Sequence, residues 1–213
     1  MKVDPPKLPQ IIPDASPGVL VAAMTIEGVQ VTRVNWGRQE GKRASFDAMR
    51  FVEPDMTSAK LREGGWADVA VDGGLLAGTD LTGSTLRRVT LGRARASGLI
   101  VAETEAKEIQ ITGCKLDLSN FRFSKWSHVL FSGCDLTDAD FAGASFRDVS
   151  FQDCDLVGCD FSGAHLTRVD LRTSRLDNPK GVAGLKGAQI TSGQLMQLSP
   201  VLAHAMGIEV NDS

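Results

Sequence analysis

The chain has 213 residues, 42% of them apolar, with a net charge of -3 and a pI near 5.6. That is enough apolar content for a buried core, and it excludes a disordered tail and a binder that works by bulk positive charge, because phosphate contacts need clustered Lys and Arg. No run approaches the roughly 18 apolar residues that a membrane span needs, and the start lacks the basic-then-apolar order of a signal peptide, so a soluble, cytoplasmic protein with no membrane partner is expected.

Three regions follow in chain order. Residues 1–25 form a Pro-rich head, "MKVDPPKLPQIIPDASPGVLVAAMT", in which Ser16 and Pro17 have the order of a helix cap and first turn, predicting a short helix. From residue 26 to about 180 the sequence keeps a five-residue period. Stepping by five from Phe46 to Leu176, every position is apolar, an unbroken run whose chance probability is on the order of 10^-10. All three Trp, at 36, 66 and 126, lie on this phase, and among the Phe only Phe123 leaves it. Before Phe46 the phase continues through Val21, Ile26, Val31 and Trp36 but fails at Gly41, which predicts a degenerate first coil.

Within each unit the residue two before the centre is small, as at Cys134, Ala139, Cys154 and Cys159; the one just before it is polar, as at Asp135, Asp140, Asp155 and Asp160; and Gly recurs two after it. Period five fits neither the 3.6 of a helix nor the 2 of a lone strand. It requires a solenoid in which each unit makes one short face and one corner, with glycine easing the corner. At "ASGLIVAETEAKEIQI" Ala96 and Ala106 replace large centres, predicting a thin or bulged coil.

At residues 181–213 the spacing turns helical. Thr191 and Gln194 form a capping box, and Ser199 with Pro200 reads as the start of a second short helix. Leu195, Leu198, Leu202 and Met206 make one apolar set, expected either to close the last coil or to meet a second copy across a two-fold axis as a homodimer.

The units "ADFAG", "CDLVG", "CDFSG" and "VDLRT" resemble the motif of the pentapeptide-repeat family. The resemblance implies an all-β solenoid, a right-handed quadrilateral β-helix with four units per coil, closed here by a short C-terminal α-helical cap. Phe46 to Leu176 would give six to seven coils, a rod of roughly 30 Å. Residues twenty apart should then stack, Phe121 with Phe141 and Phe161, and Phe131 with Phe151. The layout, from Pro-rich head to closing "MGIEV", is similar to a group of such proteins common in actinobacteria.

A rod filled by its own side chains offers no interior site for catalysis. The three His fall in separate places, and no Walker loop, "GxGxxG" or "HExxH" occurs, so no enzyme activity, catalytic residue, metal or cofactor is expected. Four Cys, three of them twenty apart, are expected to be free thiols in the core.

Function is then expected on the outer faces. From Phe131 to Asp170 eight Asp stand against Arg147 and Arg168, which makes Asp135, Asp138, Asp140, Asp155 and Asp160 a candidate acidic interaction surface. Arg87, Arg88, Arg93 and Arg95 form a candidate basic patch, but they lack the extended track with interleaved aromatics that direct nucleic-acid binding uses. A general protein-binding rod or scaffold is the first expectation. The family resemblance implies the alternative: its best-known members are DNA mimics that protect DNA gyrase from quinolones and other poisons, so gyrase or topoisomerase IV is the specific candidate partner.

Overall fold

The computed structural model describes residues 2–10 and 12–210; of the expected terminal segments, residues 1, 11 and 211–213 lie outside that description. The first strands are β1 (Asp14–Ala15), β2 (Thr25–Glu27), β3 (Gln30–Thr32), β4 (Ser45–Asp47) and β5 (Arg50–Val52). Then come the longer β6 (Gly65–Asp72), β7 (Thr85–Gly92), β8 (Glu105–Thr112), β9 (Lys125–Ser132) and β10 (Ser145–Gln152). The series closes with β11 (His165–Asp170), β12 (Ala188–Gln189) and the helix α1 (Ser192–Ala205). All pairing is parallel, and through the repeat the register is twenty residues, Phe146 opposite both Trp126 and Leu166.

Each coil has four faces. The first is centred on Phe46, Trp66, Leu86, Ala106, Trp126, Phe146 and Leu166, and the second on Phe51, Val71, Leu91, Ile111, Phe131, Phe151 and Leu171; the eight-residue strands run across both, bending between them. The third, centred on the column from Met56 to Leu176, and the fourth, on the column from Leu61 to Phe161, meet their neighbours through single-residue bridges. There each unit closes a type II turn, as where Ala139 N donates to Leu136 O at 3.0 Å with Asp138 at φ 55°.

The centres form one continuous core. Phe131 and Phe151 stack with centroids 4.7 Å apart and planes at 2°, and Phe141 lies between Phe121 and Phe161 at 4.9 and 5.2 Å. The small inward position earns its hydroxyls and thiols from the backbone: Thr79 Oγ1, Ser174 Oγ and Cys159 Sγ donate to the carbonyls of Met56, Phe151 and Leu136, one coil back, at 2.7, 3.0 and 3.1 Å. Such bonds let a polar atom sit in the core without a desolvation penalty.

Several expectations need correcting. The span from Phe46 to Leu176, on which about six to seven coils are expected, is only part of the rod. Ten strand layers, from β1 to β12, follow one another along the sheet, so the rod is nearer 43 Å, nine steps of about 4.8 Å. Gly41 keeps its place in the coil, with its N donating to Lys60 O at 2.8 Å, because Leu20 fills the space: a Cβ on Gly41 would lie 2.6 Å from Leu20 Cγ.

The short helix at Ser16 and Pro17 does not form. Asp14 and Ala15 pair with Gln30 and Val31 instead, and Gly18 O accepts from Trp36 Nε1 at 3.0 Å, contacts that need an extended chain. The Pro-rich head runs along the corner between the first and second faces, where Lys7 N donates to Asp68 Oδ1 at 2.8 Å and Asp4 N to Glu108 Oε2 at 3.0 Å.

Around Ala96 and Ala106 the registers of β7, β8 and β9 are unbroken, so there is no bulge; the core of the neighbouring coils holds an apolar cavity of about 50 Å³ bordered by Leu76, Leu86, Val101 and Ile111. The corners are not a glycine property. Every fifth residue from Ala23 to Arg168 is left-handed, and most of these are Arg, Glu, Asp or another side chain, although L residues adopt that conformation at a cost.

At the C-terminal end the capping box is present, Thr191 N donating to Gln194 Oε1 at 2.7 Å and Gln194 N to Thr191 Oγ1 at 3.2 Å. No second helix starts at Ser199. Pro200 removes the N–H that Met196 O would accept, and Ser199 Oγ donates to Met196 O at 2.7 Å in its place, so α1 continues.

Candidate interaction surface

The five candidate aspartates lie on two neighbouring faces and the corner between them. Asp135 and Asp155 are register partners on the third face, flanked in the same column by Lys115 and Arg175; Asp140 and Asp160 are partners on the fourth; Asp138 is at the shared corner. Part of each charge is committed to the fold. The Oδ1 atoms of Asp135, Asp140, Asp155 and Asp160 accept the backbone N–H two residues on at 3.1, 2.9, 3.3 and 2.8 Å, which holds the turn that follows.

Asp140 is also paired with Arg122 at 3.0 Å and Asp155 with Arg175 at 2.5 Å. Among the described residues Asp135, Asp138 and Asp160 have no cation within ion-pair distance. Burial would raise the Asp160 carboxyl, but the Ser162 donors, with Lys180 and Arg122 nearby, hold it below the usual carboxylate range.

The four arginines are not a patch. Arg87 stands on the first face; Arg88 is at the first-to-second corner, held by a bidentate pair with Asp68; Arg93 is at the next corner, paired with Asp72; and Arg95 is on the third face. Consecutive residues on a four-faced rod project in different directions, so ten residues cover three faces. Hydrogen bonds from Arg88, reinforced by Lys7 N against burial, keep the Asp68 carboxyl below its usual range.

Two residues that sequence reasoning did not place in a site flank the fourth face. Leu118 and Phe123 occupy consecutive left-handed corners, at φ 58° and 56°, and are 64% and 58% exposed. Every other non-glycine corner carries a charged, polar or small side chain. The Arg122 guanidinium lies over the Phe123 ring at 5.3 Å, stiffening the pair. The one available signal was Phe123 standing outside the five-residue phase.

The helical set divides. Leu198 is buried against the last coil with Val201 and Leu202 beside it, whereas Leu195 and Met206 are 50% and 75% exposed. The side-chain amide of Gln194 donates to Leu171 O and Ser174 O, both at 2.8 Å.

No group of three or more His, Cys, Asp or Glu among the described residues could hold a metal. The four thiols are buried and unpaired, and burial pushes Cys159 up to about 12, so that thiol is not a ready nucleophile. No helix among the described residues is long and apolar enough to cross a membrane.

Residues 104–180 match the family model of the pentapeptide repeat region. No curated protein matches the chain by sequence. Among solved structures, HetL, a pentapeptide repeat protein involved in heterocyst differentiation regulation from the cyanobacterium Nostoc, is 16% identical over 79% of this chain and 87% of its own, with a TM-score of 0.44. QnrB1, a plasmid-mediated fluoroquinolone resistance protein, is 18% identical over 94% of this chain and 99% of its own, with a TM-score of 0.43.

Proposed function

The chain belongs to the pentapeptide-repeat family, and from that premise we propose that it is a non-catalytic protein-binding rod whose working surface is the third and fourth faces over the coils from Leu116 to Phe161. The observation that carries this reading is the placement of Leu118 and Phe123. A large apolar side chain, more than half exposed and in a left-handed corner, adds little to the core and costs about 1–2 kcal/mol of backbone preference. Two of them bracketing a face with Asp138 and Asp160, neither of which makes an ion pair among the described residues, fit a partner that offers apolar sockets set among basic groups.

The test is affinity capture with the wild-type protein and the Leu118→Asn, Phe123→Asn double variant. Asn tolerates the left-handed corner, so the variant is expected to melt no lower than wild type while losing the captured partner. Equal retention by both would place the binding elsewhere.

A type II topoisomerase, DNA gyrase or topoisomerase IV, is the second reading, favoured by the register of Asp135 with Asp155 and of Asp140 with Asp160. Carboxylates one coil apart on adjacent faces make an acidic stripe that a surface built for phosphates would accept. Such a partner would place the protein in the cytoplasm, and the prediction is inhibition of gyrase supercoiling or relief of a quinolone. Changing these four Asp to Asn should abolish the effect; an unchanged effect removes the DNA-mimic reading. The exposed Leu195 and Met206 further suit a homodimer through the C-terminal ends, which sedimentation at micromolar concentration tests directly.

A further inference from the structure

We propose that the first face carries a second, separate binding groove, for an extended acidic segment of a protein with carboxylates four residues apart. The groove has a volume of about 620 Å³ and runs along the rod between two rails of outward side chains. One rail holds Arg87, Lys107, Ser127 and Arg147 in successive coils, as their registers show. The three cations make no ion pair with any described residue, whereas on the other rail Lys125 is paired with Glu105 at 3.0 Å.

Arg87 and Lys107 are direct register neighbours, a like-charge arrangement that destabilises a sheet. Most other cations on the rod's coils sit against acids, often one coil away, as in Arg33 with Glu53, Lys60 with Glu40 and Arg168 with Asp148. Folding therefore does not account for this rail, and an anionic ligand does.

The spacing selects the ligand. Arg87 and Arg147 are three coils apart, about 14 Å, and same-side residues i and i+4 of an extended strand are about 13.6 Å apart. A peptide lying along the groove in extended form would place one carboxylate at Arg87 and Lys107 and the next at Arg147. Single-stranded nucleic acid fits less well, since it binds by stacking bases on exposed aromatics, and Trp126 and Phe146 are buried beneath this face.

The test is fluorescence anisotropy with two labelled peptides of identical composition, one with two glutamates four residues apart and one with them adjacent, alongside a single-stranded oligonucleotide. The spaced peptide is expected to bind more tightly than the adjacent one, and Arg147→Gln to weaken it about fivefold, the upper range for one exposed charge pair, and to erase the difference. Lys107→Gln should weaken binding while leaving the melting temperature unchanged or raised, because it relieves repulsion from Arg87. Equal binding of the two peptides, no saturable binding, or indifference to Arg147→Gln would overturn the proposal; tighter binding of the oligonucleotide through the same residues would replace the peptide with nucleic acid. Because the acidic faces are untouched in these variants, failure here leaves the gyrase and capture tests standing.

Discussion

At its N-terminal end the rod is covered by Leu20, whose side chain stands where Gly41 has none. At its C-terminal end it is covered by Gln194, twenty residues after Ser174, whose amide donates to the two carbonyls that another coil would have satisfied. One end is closed chiefly by filling space, and the other, where Leu198 also packs on the last coil, by completing hydrogen bonds as well. An open solenoid end presents both needs at once, apolar core and unpaired backbone, and this chain answers them with different residues at each end.

If that division is right, Gln194→Ala has the largest effect. It strands the Ser174 carbonyl, leaves Leu171 O with only the Ser174 N–H at 3.1 Å, and removes half of the capping box, a loss of about 3–5 kcal/mol in denaturant unfolding. Hydrogen exchange should show β11 and β12 losing protection first; a loss spread evenly along the rod would contradict a local cap.

Leu20→Ala comes next, at about 2–4 kcal/mol for a large-to-small change that leaves a hole. Gly41→Val alone should also destabilise, since even its Cβ would meet Leu20, but the double variant Leu20→Ala, Gly41→Val should recover part of the loss. Simple additivity in the double-mutant cycle would show that the two residues do not share one space.

The same two requirements can be separated inside the rod. Trp126 Nε1 donates to Ser124 Oγ at 2.8 Å, whereas Trp66 has Gly64 at the equivalent place and its buried Nε1 has no partner. Both indoles fill space and only one completes a hydrogen bond. Trp66→Phe should therefore cost about 1–2 kcal/mol less than Trp126→Phe, and equal costs would mean that the unpaired N–H carries no penalty.

The smallest effect concerns the strap at the N-terminal side. Because the Asp68 carboxyl is held low by Arg88 and Lys7 N, its contribution is present at neutral pH and lost as pH falls below about 4, through its depressed folded value. Asp68→Asn should lower the neutral-pH melting temperature and shrink the further drop on acidification. An unchanged acid limb would exclude this carboxylate as its source.

The five-residue phase, the stacked columns of Phe, the capping box and the inward thiols were legible because each repeats a spacing that the chain itself displays. What was not legible depends on partners outside that spacing. Gly41 reads as a break, yet Leu20, from an irregular segment, repairs it. Pro200 reads as a new start, yet a hydroxyl one residue earlier supplies the missing donor. Proximity in sequence misleads on a four-faced rod, which is why Arg87, Arg88, Arg93 and Arg95 disperse while Arg87, Lys107 and Arg147, far apart in sequence, share a rail. Leu118 and Phe123 had no periodic signature beyond Phe123 leaving the phase.

Thiol accessibility tests most directly whether the five-residue phase divides an architectural interior from a working exterior. The four cysteines all take the small inward position, so a thiol reagent added without reductant should find none reactive in the folded protein and all four on unfolding. Fast reaction of any thiol in the native state, or fewer than four after unfolding, would contradict the assignment of inward and outward positions on which the interaction faces depend.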